Sequence, residues 1–178
     1  AAQRVCAKGV QQFLEDTGVD ELTTLSAALR SRAEQAMRTA IEAVPDGSWH
    51  ASVDADGFDD EETHIECELT IKGSDLHLDF AGTSPQIARG INSVLKYTYS
   101  YATYPIKCAL DPESPRNEGS FLPVTISAPE GCILNPTSPA PTAARHLTGH
   151  FLPGVIYRCL AQVVPDKVSA DSGSSPTL

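Results

Sequence analysis

The sequence predicts an α+β chain of two N-terminal helices, an antiparallel sheet, further helices and a proline-rich loop region. Apolar residues recur with a helical period up to Val44, they alternate with polar residues from Trp49 to Phe80, and prolines punctuate much of the remainder. Helices and strands segregated in this way, without strand–helix alternation, are the α+β pattern.

From Ala2 to Asp16 the residues Val5, Cys6, Val10, Phe13 and Leu14 form one helical stripe, which Gly18 ends. A second helix is expected from about Asp20 to Val44. It keeps Leu22, Leu25, Leu29, Ala33, Ala36, Met37, Ala40, Ile41 and Val44 on one side and turns Arg30, Arg32, Glu34 and Arg38 to water, before Pro45-Asp46-Gly47 stops it. Residues 1–45 thus read as a helical hairpin. Residues 46–128 read as a sheet with an inserted helix. Trp49, Ala51 and Val53, then Ile65, Cys67, Leu69 and Ile71, then Leu76, Leu78 and Phe80 mark a three-stranded antiparallel meander. Between Ile91 and Lys107 a helix is favoured, with Val94, Thr98, Tyr101 and Tyr104-Pro105 on a buried side; a strand is the alternative, since Tyr and Thr are good strand formers. A short strand is expected from Pro123 to Ala128. Residues 129–178 hold a loop with Pro136, Pro139 and Pro141 and a last helix from about Thr142 to Val164, which Pro153-Gly154 kinks or restarts.

A chain of 178 residues suits one core and one domain. Its formal charge of -10, without any Lys/Arg run, argues against nucleic acid and anionic membrane surfaces as partners. The five cysteines stand singly and are odd in number, which fits reduced thiols in a cytoplasm better than a disulfide framework. No apolar stretch approaches the roughly 20 residues that span a bilayer. The absence of an initiator Met and the Ser/Gly segment before Leu178 suggest an internal fragment of a larger domain.

Several motifs could carry chemistry. Asp54, Asp56, Asp59 and Glu62 are hard oxygen ligands in one hairpin loop, but their spacing misses the EF-hand pattern. His146 and His150 stand four apart and could share a helix face as metal ligands, although no H-E-x-x-H motif is present; packing near a helix start is the plainer role. The sequence therefore assigns no metal site. No G-x-S-x-G elbow, G-x-G-x-x-G loop or G-K-[ST] motif occurs, so ATP, if used, is bound elsewhere. The most distinctive run is Asp79-Phe80-Ala81-Gly82-Thr83-Ser84-Pro85-Gln86, where a strand end delivers an acid and several hydrogen-bonding side chains to a turn; it suits either a ligand or an ordinary cap.

This run, with Gly90-Ile91-Asn92, Asn117-Glu118-Gly119, Pro129-Glu130-Gly131-Cys132-Ile133-Leu134-Asn135-Pro136 and Pro139-Ala140-Pro141, resembles the hydantoinase B/oxoprolinase family in order and spacing. The resemblance implies a large subunit that works in an oligomeric complex with a hydantoinase A-type partner. Together they open cyclic amides such as hydantoins or 5-oxoproline with ATP; ketone carboxylases are relatives. It further implies that the partner binds ATP and phosphorylates the amide oxygen, and that the B-type subunit completes hydrolysis. A divalent metal would be held by a His/Asp-rich region that precedes this stretch in the family, so the fragment alone is expected to be inactive. Within this framework Asp79, Arg145 and His146 are catalytic candidates, and Ser84, Gln86, Asn92 and Asn117 substrate-binding ones. Arg145 would stabilise an oxyanion or phosphate, while Asp79 or His146 would position water. The competing role for Asn92, Asn117 and Asn135 is to tie loops together. A non-catalytic scaffold, using the tyrosine-rich face and last helix for assembly, is the rival from another functional class.

Overall fold

The computed structural model describes residues 1–58 and 61–169. Its main elements are α1 (Ala2–Thr17), α2 (Leu22–Glu42), β1 (Gly47–Phe58), β2 (Glu61–Lys72), β3 (Asp75–Asp79), α3 (Leu95–Leu110), β4 (Val124–Ser127), α4 (His146–Gly149) and α5 (Phe151–Leu160). The strands form one sheet in the order β1-β2-β3-β4. The first three pair antiparallel, as the alternation predicts. β4 instead runs parallel to β3, from Leu76↔Val124 to Asp79↔Ser127, so the sheet is mixed rather than antiparallel throughout. The long connection through α3 is the reason: a helical crossover can return the chain in the same direction, which a tight hairpin cannot.

Alternation along the strands turns Ile65, Cys67, Leu69, Ile71, Leu76, Leu78 and Val124 into one buried face. Met37 and Ile41 of α2, Ala102 and Ile106 of α3, and Leu152, Val155 and Ile156 of α5 complete this core. Each fully buried Leu or Ile contributes about 1.5–3 kcal/mol. Cys159 Sγ donates to the Cys67 carbonyl at 3.5 Å within it. The neighbouring Cys159 thiol and burial push the Cys67 thiol well above its ordinary pKa.

The N-terminal stripe departs most from expectation. No residue of α1 is buried, Val5 and Phe13 face solvent, and the helix makes no extended contact with α2 or the sheet. Residues 1–45 are therefore two successive helices, not a packed hairpin. On α2 only Ala33, Met37 and Ile41 are buried, while Leu22 and Leu29 are exposed. Periodicity identifies an apolar face but does not say what covers it. The buried side of α3 agrees in part with the expected one: Thr98 and Pro105 are buried with Ala102, Ile106 and Ala109, and Tyr101 packs against the core, whereas Tyr104 and Val94 are exposed. Small side chains permit close packing, and the phenol rings keep their polar tips at the rim. The expected last helix divides into α4 and α5. Pro153 falls in the first turn of α5, where a missing N–H costs little.

Two polar assemblies lock the connection after α3. The buried Lys107 ammonium reaches Asp111 Oδ2 at 2.7 Å, the Asp111 carbonyl, and the carbonyl and hydroxyl of Ser114 at 2.8 Å each. Burial alone would raise the Asp111 pKa, but the bonds from Lys107 and Ser114 outweigh it and hold the carboxyl below its ordinary value. The loop then delivers Asn117-Glu118-Gly119 to α2. Asn117 Oδ1 accepts from Gly119 N–H at 2.8 Å, capping a short 3-10 helix at Glu118–Phe121, while its Nδ2 donates to the Leu29 carbonyl at 3.2 Å. Arg30 pairs with Glu118 at 2.9 Å, an exposed contact of small energetic value.

Gly119 sets the distance between these parts, because a Cβ there would lie 1.9 Å from the Arg30 carbonyl oxygen. Gly119→Ala is expected to force the 3-10 helix away from α2 and destabilise the fold by about 3 kcal/mol. Chemical denaturation measures this, and an unchanged midpoint would show that the contact is dispensable.

Candidate functional site

Asp79 lies on the solvent face of the sheet, opposite the core. There His77 bridges Thr125 Oγ1 at 2.8 Å and Ser127 Oγ at 2.9 Å, and Ser127 donates to Asp79 Oδ1 at 2.7 Å. The carboxylate meets the hydroxyl rather than the imidazole. This order differs from a nucleophile–base–acid relay, in which the acid orients the base. On the same face His64 stands between Asp54 Oδ1 at 2.6 Å and Glu66 Oε2 at 3.0 Å. Asp54 thus serves His64. Asp59, another of the acidic-loop candidates, lies outside the described residues, and among the described residues no group of three or more His, Cys, Asp or Glu side chains could hold a metal ion.

Ser84, Gln86 and Asn92 lie in the connection that leaves β3. Ser84 pairs with His64 through two bonds of 2.9 Å, N–H to carbonyl and His64 N–H to Oγ, and its carbonyl accepts from Ile133 N–H. Gln86 Oε1 accepts from the Thr137 N–H at 2.6 Å and from its hydroxyl at 3.2 Å. Asn92 is fully buried. Its Oδ1 accepts from Ile87 N–H at 2.9 Å, and its Nδ2 donates to the carbonyls of Ile87, Arg89 and Pro141 at 2.8–2.9 Å. Both Nδ2 hydrogens are engaged by backbone, so Asn92 acts as a tie. Asn135 does likewise, donating to the Ala128 carbonyl at 3.0 Å. Asn117 is remote from these residues, at the α2 contact.

The tie at Asn92 seats the segment that carries Arg145 and His146. Next to it, Ala144 N–H donates to the Gly90 carbonyl and Thr148 Oγ1 to the Ile91 carbonyl, both at 2.7 Å. Five side chains then form a continuous exposed-to-half-buried arc. The Arg145 guanidinium lies over the Tyr97 ring at 5.0 Å, Tyr97 stacks on Tyr101 at 4.7 Å, Tyr101 meets the edge of His150 at 6.1 Å, and His150 meets His146 at 6.3 Å. His146, next to Arg145 in sequence, ends the arc. Gly149 forms its floor, since a Cβ there would approach Tyr97 Cε1 to 2.9 Å. Burial and the neighbouring Tyr101 push the Tyr97 hydroxyl up to about 12, against the opposing pull of Arg145. This phenol remains protonated at neutral pH.

The sequence-derived candidates therefore occupy separate places: Asp79 on the open sheet face, Ser84, Gln86 and Asn92 in the tie, Asn117 at α2, and Arg145 with His146 in the arc. Tyr97 and Tyr101 join the site without having been candidates from sequence, although their four-residue spacing on a helix was the available signal.

The same chain has recognisable relatives. The profile described as hydantoinase B/oxoprolinase matches residues 1–178. The chain belongs to that family. The provisionally named B subunit of a D-/L-hydantoinase from Pseudomonas sp. (strain NS671) is 35% identical over 187 residues, covering 98% of this chain and 32% of the relative. This chain thus spans about a third of the length of that family member. The beta subunit of the Pseudomonas jessenii caprolactamase is 27% identical across 91% of the chain and 28% of its own length. Among solved structures, the ATP-dependent caprolactamase from the same organism superposes with a TM-score of 0.83 at 23% identity, covering 92% of this chain and 29% of that one. A nucleotide-free acetone carboxylase superposes with a TM-score of 0.73 at 17% identity, covering 90% and 24%. These two establish a shared fold. No helix among the described residues is long and apolar enough to cross a membrane.

On the sheet face, Asp54 first and Glu66 second raise the His64 pKa. Protonated His64 is thus favoured in the folded state. Its contribution to stability is complete below the ordinary histidine value of about 6.5 and is lost as pH rises through the folded-state value. An NMR titration of the His64 ring should give a midpoint above the ordinary value, lowered by Asp54→Asn. A midpoint at or below the ordinary value would contradict the pairing.

Proposed function

We propose that this chain is part of an ATP-dependent cyclic amidohydrolase subunit of the hydantoinase/5-oxoprolinase type, acting on a ring amide activated by a hydantoinase A-type partner. The observation that carries this reading is the alignment of 98% of the chain with the B-type hydantoinase relative. The chemistry is coherent. An unactivated amide is a poor electrophile, whereas water adds readily to the carbon of an O-phosphorylated amide; the ring nitrogen then leaves as the amine, and the resulting acyl phosphate is hydrolysed by a second water to carboxylate and phosphate. The sequence has no G-K-[ST] or G-x-G-x-x-G motif to cradle ATP, which favours nucleotide binding by the partner.

In this reading Arg145 stabilises negative charge on the activated amide or departing phosphate, and His146 positions the attacking water. Asp79, on the opposite side of the sheet, acts away from that centre. Ser84, Gln86 and Asn92 hold the segment bearing Arg145 in place, and Asn117 orients α2. Any divalent metal would come from the remainder of the intact subunit, and the 178-residue chain alone should not turn over substrate.

The test uses the intact subunit with its partner, ATP and a panel of hydantoins and 5-oxoproline. ATP-dependent ring opening should fall about 10²-fold in kcat/KM for Arg145→Ala, with assembly of the complex unchanged. Bicarbonate-dependent consumption of a ketone without ring opening would assign the subunit to the carboxylases instead. Full turnover in Arg145→Ala would remove Arg145 from the site.

A further inference from the structure

We infer that the arc formed by Arg145, Tyr97, Tyr101, His150 and His146 is a binding site for an oxyanion, a carboxylate or phosphoryl group. The inference depends on the amidohydrolase reading for the place of that anion in a reaction, and not for its binding.

Charge provides the first argument. In this acidic chain some cations are held by carboxylates and others are not. Arg30 pairs with Glu118, Arg38 with Glu34 and Asp75, and Lys107 with Asp111. The Arg145 side chain instead donates to the Thr142 carbonyl at 3.4 Å and lies over the face of Tyr97. Among the described residues no carboxylate pairs with Arg145, His146 or His150.

Preorganisation provides the second. An arginine laid over an aromatic ring is restrained while the N–H groups around its edge stay available, and those groups match the two oxygens of a carboxylate or phosphate. Tyr97 is itself fixed by its stack on Tyr101 and by the close approach to Gly149. Each imidazole offers at least one N–H donor in either protonation state. The tyrosine rings leave an apolar wall beside the donors, which suits an anionic group carried on a flat organic body. A metal ion fits less well, because the guanidinium next in sequence to His146 would repel it and, among the described residues, no carboxylate pairs with either imidazole to offset its charge.

The measurement is a histidine-detected NMR titration of the chain with sodium phosphate and, separately, sodium acetate, each against sodium chloride at matched ionic strength. Saturable shifts of the His146 and His150 rings are expected. Arg145→Gln should weaken binding by about tenfold, and Arg145→Lys by less, since charge is kept while the planar fork is lost. Arg145 is exposed, and an unchanged backbone spectrum will show that the variants fold. Tighter phosphate than acetate identifies a phosphoryl group as the ligand, and the reverse identifies a carboxylate; either supports the site. Shifts that follow ionic strength alone, or binding indifferent to Arg145→Gln, overturn it. Binding without ring opening by the intact complex would count against the amidohydrolase reading alone. Ring opening without binding would count against the oxyanion site alone.

Discussion

One buried amide organises the face on which function is proposed. The Asn92 side chain gathers a backbone N–H and carbonyl from Ile87 and carbonyls from Arg89 and Pro141. A buried polar backbone group left without a partner costs about 1–3 kcal/mol, so losing this residue would expose several such costs together. The bond to Pro141 crosses 49 residues of sequence and brings the proline-rich loop to the turn after β3. Thr148 and Ala144 then fasten α4 against Ile91 and Gly90, and this fixes Arg145 and His146 beside the tyrosines of α3.

The residues of the family motifs make architectural bonds within this chain. Asn117-Glu118-Gly119 clips the 3-10 helix to α2, with Gly119 setting the approach. Ser84 extends the sheet's edge onto His64, and Gln86 receives Thr137. Asp79 keeps its position on the sheet but is bonded to Ser127 and faces away from the arc. Such residues hold a chain path in which several loops cross at close quarters, where each buried polar group must find a partner.

Much of the fold was legible because strand alternation and helical period are local. The meander from Trp49 to Phe80 follows directly from side chains that alternate between water and core. The parallel addition of β4 was not legible, since four residues, Val124–Ser127, carry no information about which edge they join. Nor was the isolation of α1, whose stripe has the same pattern whether it is covered or bare. His146 and His150 were visible as a pair four residues apart, and Arg145 as a separate candidate for stabilising an anion. Their assembly with Tyr97 and Tyr101 depends on contacts across about 50 residues, and Gly149 reveals its purpose only when the ring above it is in place.

Amide hydrogen exchange on Asn92→Ala tests the central claim most directly. If Asn92 seats the arc, the amides of Ala144, Gly149 and His150 will lose protection while those of β2 retain theirs, because the sheet does not depend on the tie. Protection lost equally across β2 and α4, or retained at all three α4-region amides, would contradict that role for Asn92.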